Sequence, residues 1–332
     1  MKLYCYILIL LLLIGCEGGI KEKNNSDPEF IFESFWNELD RHYAFFTYMD
    51  LNWDSVYNVN KSRINKETGD IELFLIFEEI LNLFHDAHTN LYAPMGIAGS
   101  TNYFDKFRIN KTELDLNYFQ YYQTNERIFE YGKIAGKNLG YINIKTFEGK
   151  KERFEKFDTI INSFGNSDGL IIDVRSNRGG LISNTETILN FLADTTLIVG
   201  KYRSRNGTDH EDFSDWVDYY VKKSDKNIYK NPIVILTNRL SYSATEWFIL
   251  TASSLKNVTT IGDTTGGGSS FPVFRELPNG WMLRISNTQA MLPEGRDFQF
   301  TGLYPDQPMW ISDEDIINNN DALLEKAIGF LP

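Results

Sequence analysis

The segment Asn231–Leu250 limits what this chain can fold into more than any other. It opens with a proline and a short apolar run, Ile233 to Leu236, which reads as a buried strand. A polar turn, Thr237-Asn-Arg, follows, then Ser241, Ser243 and Thr245, and then an apolar stretch from Trp247 to Leu255 with helical spacing. A hydroxyl between a buried strand and a helix sits at the sheet edge. The first backbone N–H groups of the helix lack intrahelical partners and can face a developing negative charge. Taken alone, the segment also fits serines that only cap the helix.

From Gly140 onward strands alternate with helices. Gly140–Ile144, Gly169–Val174 and Thr196–Val199 read as strands, Lys151–Phe164 and Thr185–Leu192 as helices. That alternation predicts an α/β core with parallel pairing. Val258–Ile261 reads as a further strand, with hairpins to the end. Before this core, Phe32, Phe35, Trp36 and Leu39 recur at helical spacing, and Asp70–Phe84 reads as a second amphipathic helix. Between Tyr92 and Tyr131 short alternating runs predict β-hairpins. Asp209–Lys223 reads as a surface excursion.

The first residues carry a different signal. Met1-Lys2 and the apolar run Leu3–Ile14 are too short to span a bilayer and read as a signal peptide. The run ends in Leu12-Leu13-Ile14-Gly15-Cys16, which resembles a bacterial lipobox and predicts a lipidated Cys16 followed by a polar tether. The second cysteine, Cys5, lies in the signal segment. The mature chain then has no internal disulfide, and thiol catalysis and a cysteine metal cluster are excluded. A net charge of -12 argues against a nucleic-acid partner.

Four motifs bear on chemistry. Ser241-Tyr-Ser243-Ala244-Thr-Glu246 is the first. Asp173-Val-Arg175-Ser-Asn177-Arg-Gly179-Gly180 follows a buried strand, and its paired glycines suit either a tight turn or an oxyanion hole. Asp173 and Arg175 read as structural. Asp86-Ala-His88-Thr89 offers a base in the neutral pH range. His42 reads as packing and His210 as exposed. No carboxylate–histidine grid at metal spacing appears. The last is a pair, Ile261-Gly-Asp-Thr-Thr265-Gly-Gly-Gly268 and Asp297-Phe-Gln299-Phe-Thr-Gly302-Leu-Tyr-Pro305-Asp306. Its glycine run lacks the lysine of a phosphate loop, which argues against nucleotide binding.

In this order the motifs resemble the tail-specific, or C-terminal-processing, serine peptidase family over about Phe30 to Asp306. The resemblance implies a crotonase-like α/β core, residues 139–332. A small helical domain (29–91) and a short β connector without a PDZ module (92–138) would precede it, after a signal peptide (1–15) and a lipidated tether (16–28). It implies Ser243 as nucleophile, with Ala244 and Gly179 or Gly180 supplying oxyanion N–H groups. Gly268 stands where one branch of the family carries a lysine base. His88 matches the histidine of the tricorn-like branch. Gln299 stands where that branch carries a glutamate that orients the histidine, so Gln299 is expected to hold the ring without charge; the carboxylates that would compensate are Asp86, Asp297 or Glu294. The expected partners are a polypeptide substrate and, through Cys16, a membrane of the cell envelope, with no cofactor and no metal. A non-catalytic binder of peptides or apolar ligands on the same scaffold, and a structural lipoprotein, are the alternatives.

Overall fold

The structure is a computed structural model and describes residues 25–332 apart from 101, 109, 110 and 126. The expected signal peptide and the expected lipidation at Cys16 lie outside the described residues. Among the described residues, no helix is long and apolar enough to cross a membrane.

Helices α1 (Pro28–His42), α2 (Trp53–Lys61) and α3 (Asp70–Asn82) come first, followed by the hairpin β1 (Asn90–Ala93) and β2 (Gly96–Gly99). A second hairpin, β3 (Phe119–Asn125) and β4 (Phe129–Ile134), leads into β5 (Leu139–Ile144), α4 (Lys151–Phe154), α5 (Phe157–Ser163), β6 (Gly169–Asp173) and α6 (Ile182–Leu189). Next come β7 (Leu197–Ser204), β8 (Val217–Val221), β9 (Ile233–Thr237), α7 (Ala244–Ser253) and β10 (Val258–Gly262). The chain closes with β11 (Pro272–Glu276), β12 (Met282–Ser286), β13 (Thr288–Met291), β14 (Gln307–Pro308), α8 (Asp313–Ile317) and α9 (Ala322–Phe330).

A seven-stranded sheet, ordered β14-β10-β9-β6-β5-β4-β3, forms the centre. Its strands from β14 to β5 pair in parallel, and β4 and β3 add antiparallel at one edge. The apolar runs of β6 and β9 are buried throughout, as a strand covered on both faces requires. Alternation then sorts the side chains. Leu170, Ile172, Ile233 and Ile235 join a core with Ile161, Ile188, Trp247 and Phe248 of α5, α6 and α7. Ile171, Val234 and Leu236 face Leu323, Leu324 and Ala327 of α9.

The expected hairpins after β10 are met by β11 and β12, but the chain ends in α8 and α9 where hairpins were expected to continue. The apolar residues of α9 are few and close together, so the period is too short to read in sequence. The signal that marks it is a cap: the Asp321 carboxylate accepts from Leu324 N at 3.0 Å. The expected helix over 151–164 is broken into α4 and α5, and the excursion at 209–223 contains β8, which pairs with β7.

The expected separation into a helical domain and a connector meets a different architecture. Helices α1 and α3 share one aromatic core in which the Phe35 and Phe77 rings stack at 3.9 Å, but Leu277, Trp281, Leu283 and Ile285 complete that core from near the other end of the chain. Strand β1 pairs with β12. The segment 92–138 is no separate connector: it supplies β2 to this smaller sheet, ordered β11-β12-β1-β2, and β3 and β4 to the large one. Long-range pairing of this kind leaves no local trace in sequence.

Candidate active site

Three loops leave the C-terminal ends of the parallel strands β6, β9 and β10 and meet there, where open α/β sheets hold their ligands. Ser243 ends the loop after β9, at the N-cap of α7, with φ at 60°. A non-glycine residue rarely adopts that backbone, and the surroundings must hold it there.

The loop after β6 supplies part of the restraint. A Cβ on Gly179 would fall 2.8 Å from Ser243 Cβ and 3.0 Å from Ala244 N, so only glycine permits the approach. Asn177 ties the two loops, its Oδ1 accepting from Gly179 N at 3.0 Å and from Thr245 Oγ1 at 2.8 Å. The Gly179 N–H is therefore committed. Among the described residues neither Gly180 N nor Ala244 N has a hydrogen-bond partner, and both residues line the cavity with Ser243. Of the two glycines expected for an oxyanion hole, Gly180 has the available N–H group. Ser241 Oγ donates to the Val174 carbonyl and accepts from Asn238 N, so it braces the turn and is not a cap.

The base of the β6 loop is an ion cluster. The Arg175 guanidinium is fully buried between Asp173 and Asp321, with contacts of 2.7 Å to each. Burial pushes the Asp173 carboxyl up, but the charge and hydrogen bonds of Arg175 together with the charge of Lys111 outweigh it and hold the group at about 2. Asp321 comes from the end of α9 that sequence reading missed, so only the Asp173–Arg175 half was legible.

Glu246, buried one turn into α7, is the other restraint. Its carboxylate accepts from Ser243 N at 2.9 Å, Gly267 N at 2.8 Å, Gly268 N at 2.7 Å and the Thr265 hydroxyl. It thereby fastens the loop that carries Ser243 to the glycine-rich loop after β10. Burial pushes this carboxyl up to about 7, against the pull of those donors. The spacing Ser243…Glu246 is that of a capping box, which is a sequence signal for the bond to Ser243 N but not for the bonds to the glycine-rich loop. At Gly268 a Cβ would fall 2.2 Å from the Tyr242 ring, which fills the space a side chain there would need. This explains physically why no lysine stands at that position.

His88 lies beyond Tyr242, ring centroids 4.7 Å apart, and lines the same cavity as Ser243. It is buried, and neither ring nitrogen has a hydrogen-bond partner. Burial, with a smaller push from the Arg284 charge, holds its pKa well below the ordinary histidine value. The expected orienting contacts take other partners. Gln299 Oε1 accepts from Ser269 N at 2.8 Å and Ser269 Oγ at 3.1 Å, so this amide braces the glycine-rich loop and makes no bond to His88. Asp86 accepts from the His88 backbone N–H at 2.9 Å and positions the main chain, not the ring. Asp297 accepts from Tyr48 OH, and Glu294 stands beside Arg296. His42 is held by Arg275 and Glu38, and His210 by Asp40.

The cavity that joins these groups has a volume of about 820 Å³. Leu181, Ile182, Trp247 and Phe271 give it apolar walls, and Arg178 and Arg284 give it positive charge. A hydroxyl, an imidazole kept neutral and two unsatisfied N–H groups opening on one cleft can carry out acyl transfer.

The sequence profile described as Peptidase family S41 matches residues 138–309, and that of the tricorn protease C1 domain matches residues 25–82. A solved structure of a candidate peptidase from Parabacteroides merdae is 31% identical, superposes with a TM-score of 0.82, and covers 92% of this chain and 96% of its own. The carboxy-terminal processing protease CtpB of Bacillus subtilis is 25% identical over 202 residues, 60% of this chain and 38% of that protein. A carboxyl-terminal-processing protease of Synechocystis is 25% identical over 203 residues, 59% of this chain and 44% of its own. The chain thus spans less than half the length of these curated relatives.

Proposed function

Because the chain belongs to peptidase family S41, we propose that it is a serine endopeptidase of the cell envelope that hydrolyses exported polypeptides through Ser243 and His88 on a crotonase-like core. One observation carries this reading: the Ser243 backbone is held at positive φ against Gly179, in a single cavity with His88 and two unsatisfied N–H groups.

In the reaction, Ser243 Oγ attacks the peptide carbonyl carbon while a His88 ring nitrogen takes its proton. The carbonyl oxygen becomes an oxyanion between the N–H groups of Ala244 and Gly180, each worth roughly 10²–10³ in kcat. Collapse breaks the C–N bond, and His88 returns the proton to the departing amine. Water then repeats the sequence at the acyl ester and frees Ser243. A buried imidazole stays neutral and so has a free lone pair for the Ser243 proton, but burial weakens it as a base and the imidazolium it becomes has no carboxylate to pair with. Gln299 supports the loop beside it and contributes no charge. Lipidation at Cys16 would hold the enzyme at a membrane of the envelope.

That missing carboxylate favours one rival, a non-catalytic peptide binder. Hydrolysis of unfolded casein separates the two. The peptidase reading requires turnover by the wild type and its loss in both Ser243→Ala and His88→Ala. Equal turnover in His88→Ala, or none in the wild type, overturns it.

A further inference from the structure

The small sheet, ordered β13-β7-β8, ends in an unguarded strand. β8 pairs with β7 alone, and among the described residues no backbone group of Val217–Val221 bonds any other element. The edges of the central sheet are protected in the usual ways: β14 has two residues, one of them Pro308, and β3 is bulged at Gln120. β8 has no proline, and the bulge in its ladder lies on β7, at Val199. Beside this edge the sheet presents apolar side chains to solvent. Ile198 and Tyr220 are cross-strand neighbours, 54% and 46% exposed, and Val217 is exposed as well.

The charges along this strand are sorted. Asp215 and Asp218 lie toward its start, and Lys222 and Lys223 follow its end. All four are exposed, and none forms an ion pair among the described residues. A two-fold axis through the sheet would pair two such strands antiparallel, with the acidic end of each against the basic end of the other. With Tyr219 at the axis, Asp215 faces the partner's Lys223, Trp216 faces the partner's Lys222, and Val217 faces the partner's Val221. Side chains directly opposite share a face, so the exposed Val217 then continues the row that is buried at Val221. Parallel pairing sets like charges together instead. The complementarity is to the strand's own sequence, which favours a second copy over an unrelated chain.

From this open edge and its sorted charges we propose that β8 is a self-association surface, on which two copies of the chain pair antiparallel and join their small sheets into one. Main-chain bonds across the axis satisfy the free N–H and C=O groups, and the charges set the direction and register. The contact is short, so the dimer is weak, with a Kd on the order of 10 μM. The joined sheet backs the cleft. Tyr219 packs on Trp247 with ring centroids 4.5 Å apart, and Tyr202 packs on Phe271 at 5.2 Å; both of the rings they support are cavity walls. Pairing therefore steadies the strand behind the Trp247 side of the cleft. The inference holds whether or not that cleft hydrolyses peptides.

The test is sedimentation velocity on the full chain in a mild detergent, from about 1 to about 300 μM, a range that brackets the expected Kd. Two double variants probe the charges. Lys222→Glu with Lys223→Glu makes both ends of the strand acidic, and Asp215→Lys with Asp218→Lys makes both ends basic. Each variant alone should associate at least about tenfold more weakly than the wild type, since like charges then meet across the axis. An equimolar mixture of the two should recover a heterodimer with about the wild-type Kd, because acidic ends again meet basic ones. That recovery also shows that neither set of substitutions unfolds the strand. A wild type that stays monomeric to the top of the range overturns the proposal. So does a dimer that both variants retain alone, which would lie on another face. A mixture that fails to recover what the single variants lose overturns it as well.

Discussion

Gly179→Ala tests whether the loops after β6 and β9 form one site. The added Cβ would lie 2.8 Å from both Ser243 Cβ and the Tyr242 carbonyl oxygen, where ordinary contact begins at 3.4 Å, so the neighbours must yield by about 0.6 Å. The backbone, at φ 98°, is also one that alanine rarely adopts, at roughly 1–3 kcal/mol. Overpacking adds roughly 1–3 kcal/mol. The loop borders a cavity and can relax, so the lower ends apply, and the expected loss of stability is about 2 kcal/mol. A shift of this size at Ser243 and the Ala244 N–H should lower the casein turnover number about 10²-fold, since misplacement on the ångström scale has that effect. The control is Gly136→Ala. Its φ is 70°, and nothing lies within 4 Å of the added Cβ. It suffers the backbone strain alone and should lose stability without losing turnover. Urea unfolding and casein hydrolysis on the three proteins decide the matter. Full turnover in Gly179→Ala, with the same stability loss as Gly136→Ala, would refute the idea that Gly179 and Ser243 are mechanically coupled.

Other expectations follow from the same geometry. Arg175→Met leaves Asp173 and Asp321 buried without their counter-charge and should cost about 3–5 kcal/mol, seen as a lower urea midpoint at unchanged m-value. His88 is held neutral well below its ordinary 6.5, so in kcat/KM profiles the acid limb should fall below the usual histidine range. The unfolded chain binds the proton that the folded chain refuses. Stability from this group is therefore full above about 6.5 and declines as pH falls toward the depressed value. His88→Gln should flatten that slope in urea titrations across the window, and an unchanged slope would contradict the burial argument. Gly268→Lys should not install a new base: its Cβ meets the Tyr242 ring, and both melting temperature and casein turnover should drop, as they should in Gly268→Ala.

How much of this was readable in advance depends on the range of each interaction. The strand–turn–helix at Ser243 was legible because its parts are contiguous: a β-branched run, a polar turn, an apolar helix. The parallel core was legible for the same reason, strand by strand. Glu246 stood within a quoted motif, but its role depends on three N–H groups contributed by two loops, and only folding brings them together. Asp321 and Arg284 were illegible. One reaches Arg175 across 146 residues. The other belongs to a strand whose partner, β1, begins near residue 90. Gln299 marks the limit of motif matching. Its position in the pattern pointed to the histidine, whereas its amide oxygen is engaged by Ser269.

The proposed peptidase activity depends on Ser243 acting as a nucleophile with His88 as its base. A fluorophosphonate probe followed by peptide mass spectrometry tests it most directly. A single adduct on Ser243 is expected in the wild type, none in Ser243→Ala, and labelling slowed by at least about 10²-fold in His88→Ala. An adduct on another residue, or equal labelling rates in the wild type and His88→Ala, would contradict it.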